Sequence, residues 1–184
     1  MLNPAHSTRV ISVIGAGSVG RGIAHATALA GYATILEDIL PANLRSAQSD
    51  IRTRPDGDAA LSRITYASSI EDAVRQSEFV IEAVPDEIES KLEIFSLLDR
   101  ISRPGTVLAS STFSLRITDI TDVTHCAQRC VGMRFVPPVH EMTELEIVRA
   151  VETDDATFVA AMEVASRLGK QVKIVQETRE IALS

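Results

Sequence analysis

The run Gly15-Ala16-Gly17-Ser18-Val19-Gly20 constrains this chain more than any other feature. A β-branched stretch, Arg9 to Ile14, leads into it and reads as a buried strand. Small, mostly apolar residues from Ser18 to Ala30 follow and read as a helix, with Gly31 as a natural stop. A second strand, Ala33 to Leu36, ends in the acidic pair Glu37-Asp38. The three glycines have different physical uses. Gly15 permits a tight turn, Gly17 lets the main chain approach a diphosphate, and Gly20 lets the helix pack near the sheet. The helix N-terminus offers unpaired N–H groups and about half a positive charge to phosphates. Asp38, about twenty residues on, is placed to accept hydrogen bonds from an adenosine ribose, and Glu37 could share or take that role. A carboxylate there repels a 2′-phosphate, which favours NAD over NADP. Gly15, Ala16, Gly17, Ser18, Val19, Gly20, Glu37 and Asp38 are therefore candidate cofactor contacts.

The same alternation continues downstream. Strands are expected at Ile64 to Tyr66, Phe79 to Ile81, Thr106 to Ala109, Cys130 to Val136, Leu145 to Val151 and Val172 to Val175. Helices are expected from Pro41, over Ile70 to Val74, Asp86 to Ile101, Ile117 to Val123, and Asp154 to Leu168. Arg54 to Asp58 reads as a polar turn. This pattern implies an α/β fold of the Rossmann type: a doubly wound, mainly parallel sheet with helices on both faces. A length of 184 residues suits one domain, 1–184.

Composition removes other classes. Hydrophobic residues at 45% and charged residues at 23% exclude a disordered or fibrous chain. The net charge of −7, without a basic patch, argues against nucleic acid or an anionic membrane as partner. No apolar run approaches the ~18 residues of a membrane span, and no signal pattern opens the chain. Cys126 and Cys130 are the only cysteines, so no disulfide framework is expected and a reducing cytoplasm is the expected location.

Four stretches carry a resemblance to a known family: VIGAGSVGRGIAHATALAGY, FVIEAVPDEIESKLEIFSLLDRI, VGMRFVPPVHEMTELEIVRAVET and ASRLGKQVKIVQET. Together they resemble the NAD-binding domain of the 3-hydroxyacyl-CoA dehydrogenases. The resemblance implies NAD laid across the carboxyl ends of the strands. Asp38 falls on the ribose-binding acid. Ala83, Val84 and Pro85 fall on the turn beside the cofactor, Asp86 falls where the family has a ribose-contacting Glu, and Lys91 matches its Lys partner. Ser111, with Thr112 and Ser114, is placed to hydrogen-bond the nicotinamide ribose or a substrate. An acyl-CoA or other hydroxyacyl compound is the implied substrate class.

The catalytic positions depart from that pattern. Arg134 stands at the general acid/base His, Phe113 at the Ser, and Ser111 at the Asn before it; the second catalytic Asn falls at about Ser184. Glu146 alone remains of the set. An arginine, with a pKa above ~12, exchanges no proton near neutrality. An ion pair between Arg134 and Glu146 is the favoured reading over a new catalytic role. His140 is a candidate relocated acid/base, set against the blander reading of a surface loop histidine. His25 is expected to pack or make a surface hydrogen bond, and His125, Cys126 and Cys130 are one ligand short of a zinc site, so no metal is expected. The segment from Leu40 to Arg63 is shorter than the family's helical hairpin, and its C-terminal helical domain has no counterpart here. Three functions stay open: a dehydrogenase completed by dimer contacts or a partner, a non-catalytic NAD-binding or regulatory module, and the trimmed N-terminal part of a longer enzyme or one half of a split dehydrogenase. An apolar face left uncovered by the missing domain predicts self-association, most simply as a dimer.

Overall fold

The computed structural model describes residues 9–178. Eight strands form one sheet in the order β3-β2-β1-β4-β5-β6-β7-β8. The strands are β1 (Val10–Ile14), β2 (Ala33–Glu37), β3 (Ile64–Ala67), β4 (Phe79–Glu82), β5 (Val107–Ser110), β6 (Cys130–Phe135), β7 (Glu144–Arg149) and β8 (Gln171–Gln176). The helices are α1 (Ser18–Leu29), α2 (Pro41–Arg52), α3 (Gly57–Leu61), α4 (Ile70–Val74), α5 (Ile88–Ile101), α6 (Ile117–Thr121) and α7 (Asp155–Arg167). Neighbouring strands run parallel from β3 to β6. β6 and β7 pair antiparallel, so β7 and β8 run against the rest.

β1 lies between β2 and β4, so the chain winds outward in opposite directions on its two sides. That reversal opens a crevice above the carboxyl ends of β1 and β4. One face of the sheet carries α1, whose Ile23, Ala24 and Ala28 are buried with Ile11, Val13 and Leu36. The opposite face carries α4 and α5, where Phe95 and Leu98 pack with Ile14, Val80 and Leu108. Alternate strand residues thus feed two cores, the expectation for a sheet covered on both sides.

Two local expectations are corrected. The segment read as a turn around Arg54 to Asp58 contains the start of α3. Asp56 adopts φ +55°, and a Cβ at Gly57 would stand 2.2 Å from the Ile51 carbonyl oxygen, so only glycine lets α3 fold back on α2. The helix expected from Asp86 begins at Ile88. Asp86 stays in the preceding turn because its carboxylate bonds across to the segment after β5.

Candidate cofactor site

A cavity of about 840 Å³ occupies the crevice. From one end to the other it passes Asp38 after β2, the glycine turn after β1, Ala83 to Asp86 after β4, and Ser111 and Phe113 after β5. The three glycines divide the work. Gly15 adopts φ +100°, and a Cβ there would press to 2.8 Å on the Ala83 carbonyl oxygen. At Gly20 a Cβ would fall 1.8 Å from the Gly15 carbonyl oxygen, so this glycine closes the helix onto its own loop as much as onto the sheet. A Cβ at Gly17 meets nothing within 4 Å and points into open space. Gly17 is also the N-cap of α1, with no side-chain cap and no acid in the first turn. The N–H groups there remain available to an anion.

Asp38 reaches this loop directly. Its Oδ2 accepts the Ala16 N–H at 2.9 Å, and its Oδ1 accepts the Leu40 N–H at 2.9 Å. The Asn43 amide donates to both oxygens at 3.1 Å. A carboxylate has about four acceptor positions. All are engaged, so a sugar hydroxyl would take the place held by Asn43. Asn43 was not a sequence candidate; its one signal is a side-chain amide on the first turn of the helix after the acid.

Glu37 is 4% exposed yet lines the cavity. Its carboxyl is pushed up to about 7 by burial first, then by the charges of Asp38 and Glu71. It shares a sheet face with Glu82, since both register with Ile14.

The turn after β4 rests on a buried pair that sequence reading missed. The Lys91 ammonium donates to Glu82 Oε1 at 2.7 Å and to the Val84 carbonyl at 3.2 Å. Glu82 also accepts the Val84 N–H at 2.8 Å and the Ser110 hydroxyl at 2.7 Å. Burial pushes the Glu82 carboxyl up, and Lys91, Ser110 and Val84 pull it back. Lys91 itself is 1% exposed and 3.8 Å from Asp86. It therefore braces Ala83, Val84 and Pro85 from beneath, rather than standing open in the cleft beside Asp86. Asp86 accepts hydrogen bonds from the Thr112 hydroxyl, the Phe113 N–H, and both the N–H and hydroxyl of Ser114. Desolvation opposes its charge, but the bonds from Thr112 and Ser114 and the Lys91 charge prevail and hold it below the usual carboxylate range. Ser111 lines the cavity with its N–H donated to the Glu82 carbonyl at 2.9 Å.

Beyond β5 the candidate catalytic residues separate. Arg134 on β6 faces Glu146 on β7 in the antiparallel register, with Nη1 3.6 Å from Oε2. Its Nε donates to the Thr112 carbonyl at 3.0 Å and its Nη2 to the Leu115 carbonyl at 3.2 Å. The guanidinium thus ties the segment after β5 to the sheet. Lys173 pairs with Glu146 and is the main reason its carboxyl lies below the ordinary range, with Arg134 adding to it. His140 does not join them. It lines a second cavity, about 320 Å³, with His25, Arg167 and Lys170. Its ring meets His25 edge-on at 6.3 Å, and His25 bonds the Pro55 carbonyl at 3.1 Å. The Ser184 position lies outside the described residues. Among the described residues no group of three His, Cys, Asp or Glu is disposed to hold a metal ion, and no helix is long and apolar enough to cross a membrane.

NAD fits what the cleft provides: an uncapped helix N-terminus beside an open glycine, a carboxylate after β2, and a braced turn after β4. Bound there, NAD would supply hydride transfer. Residues 10–178 match the family described as "3-hydroxyacyl-CoA dehydrogenase, NAD binding domain". The chain is 36% identical over 179 residues to a 3-hydroxybutyryl-CoA dehydrogenase of Bradyrhizobium diazoefficiens, covering 91% of this chain and 61% of that one. It is 37% identical over 172 residues to a probable 3-hydroxybutyryl-CoA dehydrogenase of Bacillus subtilis, covering 87% and 60%. It superposes on the crystal structure of (S)-3-hydroxybutyryl-CoA dehydrogenase from Ralstonia eutropha with a TM-score of 0.85 at 31% identity, covering 94% of this chain and 65% of that one. The chain thus spans about three fifths of the length of these curated relatives. It belongs to the NAD-binding-domain family of the 3-hydroxyacyl-CoA dehydrogenases, and its cofactor is NAD.

Proposed function

We propose that this chain binds NAD(H) along the cleft and does not, by its own residues, move a proton to or from a hydroxyacyl substrate. The observation that carries this reading is the state of Arg134. Its guanidinium is paired with Glu146 and turned onto two main-chain carbonyls, where the family places an imidazole. Glu146 is held as a carboxylate by Lys173 and Arg134, so neither partner exchanges a proton near neutrality. His140, the remaining candidate, lies with His25 in the second cavity. Loss of a positioned acid/base costs on the order of 10²–10⁴-fold in rate. Calorimetry should therefore show NAD binding, while acetoacetyl-CoA and NADH mixed with the protein should show NADH oxidation lower by that factor than a His-bearing relative. Robust turnover would defeat this reading.

The open edge of the sheet favours a second reading, in which a second copy or a separate polypeptide completes a dehydrogenase site. β8 is the last strand of the sheet, and Ile174 on it is 56% exposed. On this reading the substrate class is an acyl-CoA or other hydroxyacyl compound, the assembly is a homodimer or hetero-complex, and the setting is cytoplasmic. Light scattering on the sample used for turnover separates the two: a monomer that binds NAD and stays inactive supports the first.

A further inference from the structure

A dinucleotide in a doubly wound sheet lies across the reversal point, one mononucleotide on each side. Here the carboxylate after β2 and the uncapped N-terminus of α1 take the adenosine and the diphosphate. The nicotinamide half then falls at the ends of β4 and β5. At that end the cavity wall includes Phe113, whose large apolar side chain is 48% exposed. Leaving an aromatic ring half in water forgoes burial that such rings normally obtain.

The segment bearing this ring is held firmly. The Phe113 N–H and the Ser114 N–H donate to Asp86 at 3.3 and 3.0 Å, and Arg134 Nε clamps the Thr112 carbonyl. The nearby charges are also accounted for. Lys91 is shared between Glu82 and Asp86, and Arg134 shares Glu146 with Lys173. The Asp86 carboxylate accepts the N–H of Phe113 itself, which sets negative charge against the segment that bears the ring. An aromatic face is negative and attracts a flat cation. The oxidised nicotinamide ring is such a cation, whereas the reduced ring is neutral.

We propose that Phe113 makes this cleft selective for the redox state of its cofactor, holding NAD+ more tightly than NADH, so that the chain reads the oxidised nucleotide. This rests on the reading that NAD binds along the cleft. The proposal gives a function to the replacement at the Ser position that a dehydrogenase role leaves idle.

Titration calorimetry of NAD+, NADH and ADP-ribose on the wild type, Phe113→Leu and Phe113→Trp tests it. ADP-ribose lacks the nicotinamide and probes only the adenosine and diphosphate half. The wild type should prefer NAD+ over NADH by about two- to thirtyfold, the range of a cation on an aromatic face from exposed to desolvated. Phe113→Leu should bring that ratio towards one while leaving ADP-ribose affinity unchanged. Phe113→Trp should keep the ratio. The chain has no other tryptophan, so this variant should also show a long-wavelength charge-transfer absorption with NAD+ and none with ADP-ribose. Equal affinities in the wild type, or a ratio that Leu leaves untouched, overturn the proposal while NAD binding stands. Failure of ADP-ribose and both dinucleotides to bind overturns the cofactor reading itself.

Discussion

The two halves of the cleft are built on different logic. Around β1 and β2 the functional groups are main chain and one carboxylate: Gly15, Gly17 and Gly20 shape the loop, and Asp38 holds the Ala16 N–H. Around β5, β6 and β7 the functional groups are side chains from distant segments, and they are fully occupied with one another. Arg134 and Lys173 share the Glu146 carboxylate, and Asp86 spends its acceptors on Thr112, Phe113 and Ser114. The first half is prepared to receive phosphates and sugar. The second is a locked wall with an exposed aromatic ring. Backbone geometry of the first kind tolerates side-chain change, whereas acid/base chemistry of the second kind depends on the identity of single side chains.

The Glu82–Lys91 pair joins the halves, and breaking it should have the largest effect. Lys91→Ala leaves a buried carboxyl without its ammonium, a change that costs about 3–5 kcal/mol. It should also loosen the turn after β4 on which both halves rest. Urea denaturation measures the loss, and a midpoint within error of wild type would show that the pair braces nothing.

Gly17→Val acts on the first half alone. The added side chain meets no protein atom within 4 Å of its Cβ, so the fold should survive. It projects where the diphosphate must approach, and NAD affinity should fall by about a hundredfold or more, some 2.7 kcal/mol. Unchanged affinity by calorimetry would move the diphosphate off the glycine loop.

The smallest effect is a pH dependence set by Glu37. Its carboxyl keeps a proton up to about 7 in the fold and loses it near the usual 4.5 when unfolded. The unfolded chain therefore binds fewer protons between these values, and stability is full below 4.5 and declines as pH rises through 7. The decline should amount to about 1–3 kcal/mol, and Glu37→Gln should flatten it. A melting profile with equal slope in the variant and the wild type would place the titration elsewhere.

Short-range features were the most legible in the sequence. The strand, glycine turn, helix and acid lie within about thirty residues, the length of one βαβ unit, and each carries its own stereochemical reason. The ion pair between Arg134 and Glu146 could be anticipated because the resemblance puts these two residues where the family pairs a His with a Glu. The sequence reading did not find Glu82 beneath the turn, because an acid at a strand end reads like any other until α5 brings Lys91 over it. Nor did it find Asn43 on the carboxylate of Asp38. His140 shares a loop with the β6 residues in sequence, but the fold lays that loop along α1, where Val139 stands close to Gly22.

By itself the sequence determined the βαβ opening and its cofactor class, since these depend on residue identity and on distances of a few turns. Only the tertiary structure decided which charges cancel, which carboxyl is buried and where the aromatic ring faces. Those outcomes depend on the desolvation and spacing of groups separated by tens of residues, and packing alone sets them.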